Sequence, residues 1–227
     1  MAIPFHEEEL QVVSQAKGYG GVTIQTYHTP VTAREAMKRL FRREPVWQNF
    51  GAGVEYHPFC PSVNPDNIAR AYVMEAGVRR DDPRYQGGRD MFGVLWEYEP
   101  VAGGSMVRPG DYPFADADEM LRGIAWPDID SWDWEESARK NANYFSQEKF
   151  NICWFMNGWY ERLISLMGFE NAAMAMIDDE QTDDVMEFFD KLTDLYIRIV
   201  DKYLTYYPMI DGFYIHDDWG GQQDTFF

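Results

Sequence analysis

The sequence predicts an α/β protein built around a parallel sheet, and three observations point there. Stretches with strand and helix periodicity alternate along the chain, the pattern of a parallel sheet with crossover helices. Phe150–Met156 (FNICWFM) is a continuous apolar run between polar flanks, as expected of a strand buried on both faces. Gly212–Ile215 (GFYI) is apolar and turns polar within one residue, into His216-Asp217-Asp218-Trp219. In parallel α/β folds, ligands bind beyond the carboxyl ends of strands.

The elements follow in chain order. Residues 1–30 read as an irregular N-terminal arm, because Gly18, Gly20 and Gly21 oppose a long first helix. Residues 31–227 read as one domain. Thr32 and Glu35 have capping-box spacing, and Met37, Leu40 and Phe41 share a face of the helix they open. Arg42 and Arg43 suit its C-terminal dipole, and Pro45 ends it. Val46–Phe50 reads as a short strand, 51–65 as a Gly- and Pro-rich loop, and 65–76 as a short helix capped by Asn64. A strand is predicted over Met91–Tyr98, then a long loop over 101–135 with a short helix near 116–122. After the Phe150–Met156 strand, helical spacing runs from Tyr160 to Met167 and over 171–177. The strongest helix is 183–206, where Val185, Phe189, Leu192, Tyr196, Ile199 and Tyr203 recur every three or four residues. Thr182 can cap it, and Pro208 stops it before a strand over Gly212–His216. That strand lacks a following helix to cover it, so another chain covers it or the sequence is part of a longer one.

Composition narrows the function classes. The chain is 45% hydrophobic and 16% aromatic, which supports a sizeable core and opposes disorder. Its 38 acidic residues against 20 basic give a net charge of −18, a field that repels nucleic acid. The two cysteines, Cys60 and Cys153, make neither a disulfide scaffold nor a CxxC zinc motif. The first ten residues, MAIPFHEEEL, do not read as a signal peptide, and no apolar window reaches the ~18 residues of a membrane span. A cytoplasmic protein is the default expectation. No GxGxxG follows a strand and no P-loop occurs, so nucleotide-binding versions of the class lose support.

Four constellations could carry chemistry. His216, Asp217 and Asp218, with Trp219, Gln222 and Gln223, sit at a strand end. Adjacent carboxylates there point to opposite sides, so one can face a cavity while the other caps the next loop. The alternative is that both are caps and turn formers. Trp154–Glu161 (WFMNGWYE) follows the other central strand. Asn157 and Glu161 could bond a ligand there, and Trp154, Trp159 and Tyr160 could wall a pocket, against the alternative of a helix start with core aromatics. His57 and Cys60 are spaced to share a metal, but two ligands are half a zinc site, and a loop histidine with an ordinary thiol is the better reading. Asp90 and the acidic, aromatic Pro127–Trp134 segment read as a turn aspartate and a surface loop with tryptophan anchors.

The residue order also resembles a family. Thr32-x-Arg34-Glu35-Ala36-Met37 with Leu40, Arg42 and Glu44-Pro45-Val46 comes first. Asp90-x-Phe92-Gly93-Val94-x-Trp96, Trp126–Asp130 (WPDID), and Phe169-Glu170 with Met174, Met176 and Asp178 follow. Last comes a long helix leading to DGFYIHDDWG. Together these resemble the uroporphyrinogen decarboxylase superfamily over about residues 30–227, closest to its corrinoid-dependent methyltransferase-like branch. The resemblance implies a (β/α)8 TIM barrel of which this chain covers the N-terminal half or slightly more. It implies methyl transfer between a small methyl donor or acceptor and the cobalt of a separate corrinoid protein, since no DxHxxG corrinoid-ligand motif occurs here. Asp217 or Asp218 and His216 would position the substrate or move a proton. The aromatics would enclose the methyl-bearing group. Zinc is implied for the complete barrel, with ligands that this sequence does not identify, and a homodimer is allowed for. The decarboxylases themselves carry an Arg-Gln-Ala-Gly-Arg segment that grips a polycarboxylate substrate. Here that stretch is Gln48–Gly53, without arginine, so tetrapyrrole decarboxylation is the second reading. An inactive half-barrel binding module is the third.

Overall fold

The computed structural model describes Pro4 and residues 6–17, 21–46, 55–220 and 224–225. The strand expected over Val46–Phe50 lies outside these residues except for Val46, as does the start of the 51–65 loop. The chain divides into two compact units.

The first unit comprises residues 1–59, 144–153 and 209–213. Where an irregular arm was expected, Val12–Lys17 (β1) and Thr23–Tyr27 (β2) form an antiparallel pair with a register shift between Val12 and Ser14. Both strands consist largely of β-branched and polar residues, which suits a ribbon with exposed faces. Helix α1 (Ala33–Phe41) begins where predicted: the Glu35 amide donates to the Thr32 hydroxyl at 3.2 Å. Strand β3 is Tyr56–Phe59, and it pairs parallel with β7 (Phe150–Phe155) in the register Tyr56 to Phe150 through Phe59 to Cys153. Asp211 accepts 2.7 Å contacts from both Arg34 and Lys38, and a 3.0 Å bond from the Asn151 amide. Burial alone would raise the Asp211 carboxyl, but these donors outweigh it and hold it below the usual aspartate range.

The second unit comprises residues 60–143, 154–208 and 214–227. Helix α2 (Pro65–Ala69) is capped by Asn64, as predicted, but is shorter than 65–76, because Ala71 turns to φ 59°. Three antiparallel strands form a small sheet: Gly87–Arg89 (β4), Leu95–Glu99 (β5) and Gly104–Val107 (β6). The strand predicted from Met91 therefore starts later, since Asp90–Val94 is a tight turn. Part of the predicted 101–135 loop is strand β6, and α3 (Ala117–Gly123) occupies the predicted short-helix position. Helix α4 (Trp134–Lys140) follows, its indole donating to the Ile129 carbonyl. Helices α5 (Trp159–Met167), α6 (Phe169–Ile177) and α7 (Thr182–Tyr206) come next. Helix α7 buries Val185, Phe188, Leu192, Leu195, Tyr196, Ile199 and Tyr203, so Phe188 rather than Phe189 belongs to the core stripe. Its N-cap is Gln181; the Thr182 hydroxyl donates back to the Asp178 carbonyl at 2.8 Å.

The barrel expectation is overturned. A (β/α)8 barrel needs eight parallel strands, each followed by a helix, closed on themselves. Among the described residues there are eight strands in three small sheets, and one sheet is parallel, with three strands in the order β3-β7-β8. Strand β8 is Gly212–Ile215. The other two sheets are antiparallel hairpin ribbons. Among the described residues no helix is long and apolar enough to cross a membrane.

Candidate functional site

Two segments that the sequence marks separately are joined in the second unit. Beyond β7 the chain passes through Asn157 and Gly158 into α5; beyond β8 it continues as His216–Trp219. The His216 amide donates to the Phe155 carbonyl at 2.8 Å, and the Gly158 amide donates to the His216 carbonyl at 2.7 Å. Asp217 completes the junction. Its carboxylate accepts from the amides of Trp159 (2.8 Å), Tyr160 (3.2 Å) and Glu161 (2.8 Å). Three of the four amide donors that a helix N-terminus leaves open are thus met by one anion, which the helix dipole also favours. Gly158 leaves room for it: a Cβ there would lie 2.4 Å from Asp217 Cγ.

The adjacent carboxylates therefore divide their roles. Asp217, a candidate catalytic residue, is wholly engaged as the cap of α5. Asp218 is exposed and faces His216, with Oδ2 3.8 Å from the imidazole Nε2. On the other side, Glu161 Oε1 stands 3.7 Å from the same nitrogen. The second oxygen of Glu161 is held by Arg70 at 2.9 Å, and the Arg70 guanidinium lies over the Trp96 ring, 4.9 Å from its centroid. Glu161, His216 and Asp218 thus form one cluster, each offering a ligand atom within 4.8 Å of the others.

Aromatic side chains flank this cluster. Tyr160 is fully buried and stacks on Trp219 with centroids 5.4 Å apart. Trp154 packs between Tyr72 (6.3 Å) and Tyr214 (5.3 Å). The Trp154 indole nitrogen is buried with no hydrogen-bond partner among the described residues. Tyr214, Ile215 and Trp219 are exposed, so one side of the strand end stays open.

Sequence reasoning missed a buried ionic network just behind the site. Arg162 on α5 has no exposed surface; it bonds Asp90 Oδ2 at 2.6 Å and pairs with Asp66. Asp90 is more than a turn aspartate: Oδ1 accepts from the Phe92 and Val94 amides at 2.9 Å, and Oδ2 accepts from the Trp96 indole at 3.0 Å. Asn157 is drawn into this network, donating to Asp66 Oδ2 at 3.2 Å. It is 1% exposed and so braces the site from behind. One guanidinium thus faces two carboxyl groups in the interior. Burial pushes the Asp66 carboxyl up, Arg162 pulls it back, and the Asp90 charge adds to the rise. The available signal was an arginine on the buried face of Tyr160–Met167, among Tyr160, Leu163, Leu166 and Met167.

His57 lies in the first unit, on β3, with its ring 4.6 Å from that of Tyr144; burial holds it below the usual histidine range. Gln222 and Gln223 lie outside the described residues. Among the described residues neither cysteine belongs to a group of three or more His, Cys, Asp or Glu side chains placed to hold a metal. Both cysteines are buried; Cys60 donates to the Trp154 carbonyl at 3.8 Å, and burial pushes its thiol up. A separate cleft of about 250 Å³ in the second unit is lined by Arg89, Phe92, Val94, Phe114 and Leu166 among others, and by none of the cluster residues. No protein-family model, curated protein or solved structure matches this chain.

Proposed function

We propose that the cluster beyond β7 and β8 is the substrate site of an enzyme, and that its reaction is methyl transfer between a small substrate and a separate corrinoid protein. The observation that carries the site is the convergence of Glu161 with His216 and Asp218 from two segments far apart in the chain. The reaction class rests on the resemblance in residue order to the methyltransferase-like branch of the uroporphyrinogen decarboxylase superfamily, and does not need the barrel. The corrinoid, carried by its own protein, supplies the cobalt that takes or gives the methyl group. This chain's residues do the rest. Glu161, His216 and Asp218 engage the heteroatom that bears the methyl group, orienting it or moving its proton. Tyr160, Trp219, Trp154 and Tyr214 give the methyl-bearing group apolar walls.

Decarboxylation of a tetrapyrrole polycarboxylate is disfavoured by the charge around the site. Arg70 is paired with Glu161, and Arg162 is enclosed between Asp66 and Asp90. The decisive assay incubates the protein with cob(I)alamin and a panel of methoxy-aromatics and methylamines, and follows cobalamin absorbance. Methylation of cob(I)alamin with at least one donor is the expected result. Decarboxylation of uroporphyrinogen without any methyl transfer would overturn the reading.

A further inference from the structure

We infer that Glu161, His216 and Asp218 bind a divalent first-row transition ion. The argument is one of spacing. His216 Nε2 is 3.7 Å from Glu161 Oε1 and 3.8 Å from Asp218 Oδ2, too long for hydrogen bonds, which close to about 2.7–3.2 Å. Atoms that share an ion through bonds of about 2.0–2.4 Å stand roughly 3.3–3.9 Å apart at tetrahedral angles. The three ligand atoms, all within 4.8 Å of one another, have the spacing of co-ligands rather than of bonded partners.

The surroundings match that role. Arg70 takes Glu161 Oε2 and leaves Oε1 for another cation. The ligands are held before any ion arrives: Asp217 fixes the first turn of α5, which carries Glu161, and the Gly158–His216 backbone bond fixes the other segment. Glu161 and His216 are largely covered while Asp218 is exposed, so the open side keeps coordination positions for water or substrate. One imidazole with two carboxylates suits manganese, iron or zinc rather than a thiophilic ion. In the methyl-transfer reading the three side chains would engage the leaving heteroatom through the ion, which would act as a Lewis acid; that role rests on the proposed reaction, whereas ion binding does not.

The test uses the full chain, stripped with chelator. Mn²⁺ is titrated with detection by electron paramagnetic resonance, and Zn²⁺ by calorimetry. One ion per chain is expected, with His216→Ala and Glu161→Gln each weakening affinity by about 10-fold or more. The exposed Asp218→Asn variant guards against misfolding of the other two and should weaken it less, while Glu187→Gln on α7 should leave it unchanged. Absence of binding at millimolar ion, or wild-type affinity in all three site variants, would overturn the inference. Because the readout is the ion itself, intact binding without methyl transfer would count against the reaction and not against this site.

Discussion

Replacing Arg162 with methionine is expected to destabilise the second unit by about 3–5 kcal/mol, because it leaves two carboxylates buried without their cation. Arg162 and Asp90 side chains have no exposed surface and that of Asp66 is 6% exposed, so water cannot take over. The remaining donors to Asp66 and Asp90 are amides and the Trp96 indole, which do not neutralise charge. Urea denaturation of wild type and variant measures the loss. Adding Asp66→Asn and Asp90→Asn to Arg162→Met should recover part of it, since removing the whole ionic set is far less costly than breaking it. A loss below about 1 kcal/mol for the single variant would show that the network does not support the fold.

Gly158→Ala is the second large effect. The backbone there has φ −75°, so alanine meets no conformational barrier; the obstacle is space. The new Cβ would lie 2.4 Å from Asp217 Cγ and 2.5 Å from Asp217 Cβ. Either Asp217 withdraws and α5 loses its cap, or the segments separate. Overpacking and cap loss are each worth about 1–2 kcal/mol, so a total of about 2–4 kcal/mol is expected by thermal or urea unfolding. The rescue is specific. Asp217→Ala keeps a Cβ in the contact and should not relieve Gly158→Ala, whereas Asp217→Gly should. Equal behaviour of the two double variants would contradict this contact.

The elements legible in the sequence were those whose signal is local and strong. The run Phe150–Phe155, the helix Thr182–Tyr206 and the polarity switch after Ile215 all occur close to where the residues alone put them. Strand alternation separates Asp217 from Asp218, but the cap expected on the next loop is instead made to α5, which precedes Asp217 in the chain. Other features were misread for identifiable reasons. Tyr56–Phe59 falls within the predicted Gly- and Pro-rich loop over 51–65, yet it forms β3, at the edge of its sheet, where the missing amide of Pro58 is tolerated. Glycine pairs suggest loops, yet strand β4 contains Gly87 and Gly88, and β6 begins at Gly104 inside the predicted 101–135 loop. Gly87 has φ +92°, and a Cβ there would lie 2.8 Å from the Trp96 carbonyl, so the close ladder requires glycine. Arg162 was passed over because its partners, Asp66 and Asp90, lie 96 and 72 residues away, a separation that periodicity does not register. The barrel came from resemblance rather than from pattern, and the antiparallel ribbons are what it could not anticipate.

The central claim is that residues 154–161 and 216–218 form a single working site. A double-mutant cycle of Glu161→Gln and His216→Ala on methyl transfer to cob(I)alamin tests it most directly. Each single variant should lower the rate about 10²–10⁴-fold, and the double variant should lose less than the product of the two, with a coupling of about 1–3 kcal/mol. Losses that simply multiply, or a His216→Ala variant as active as wild type, would contradict the account.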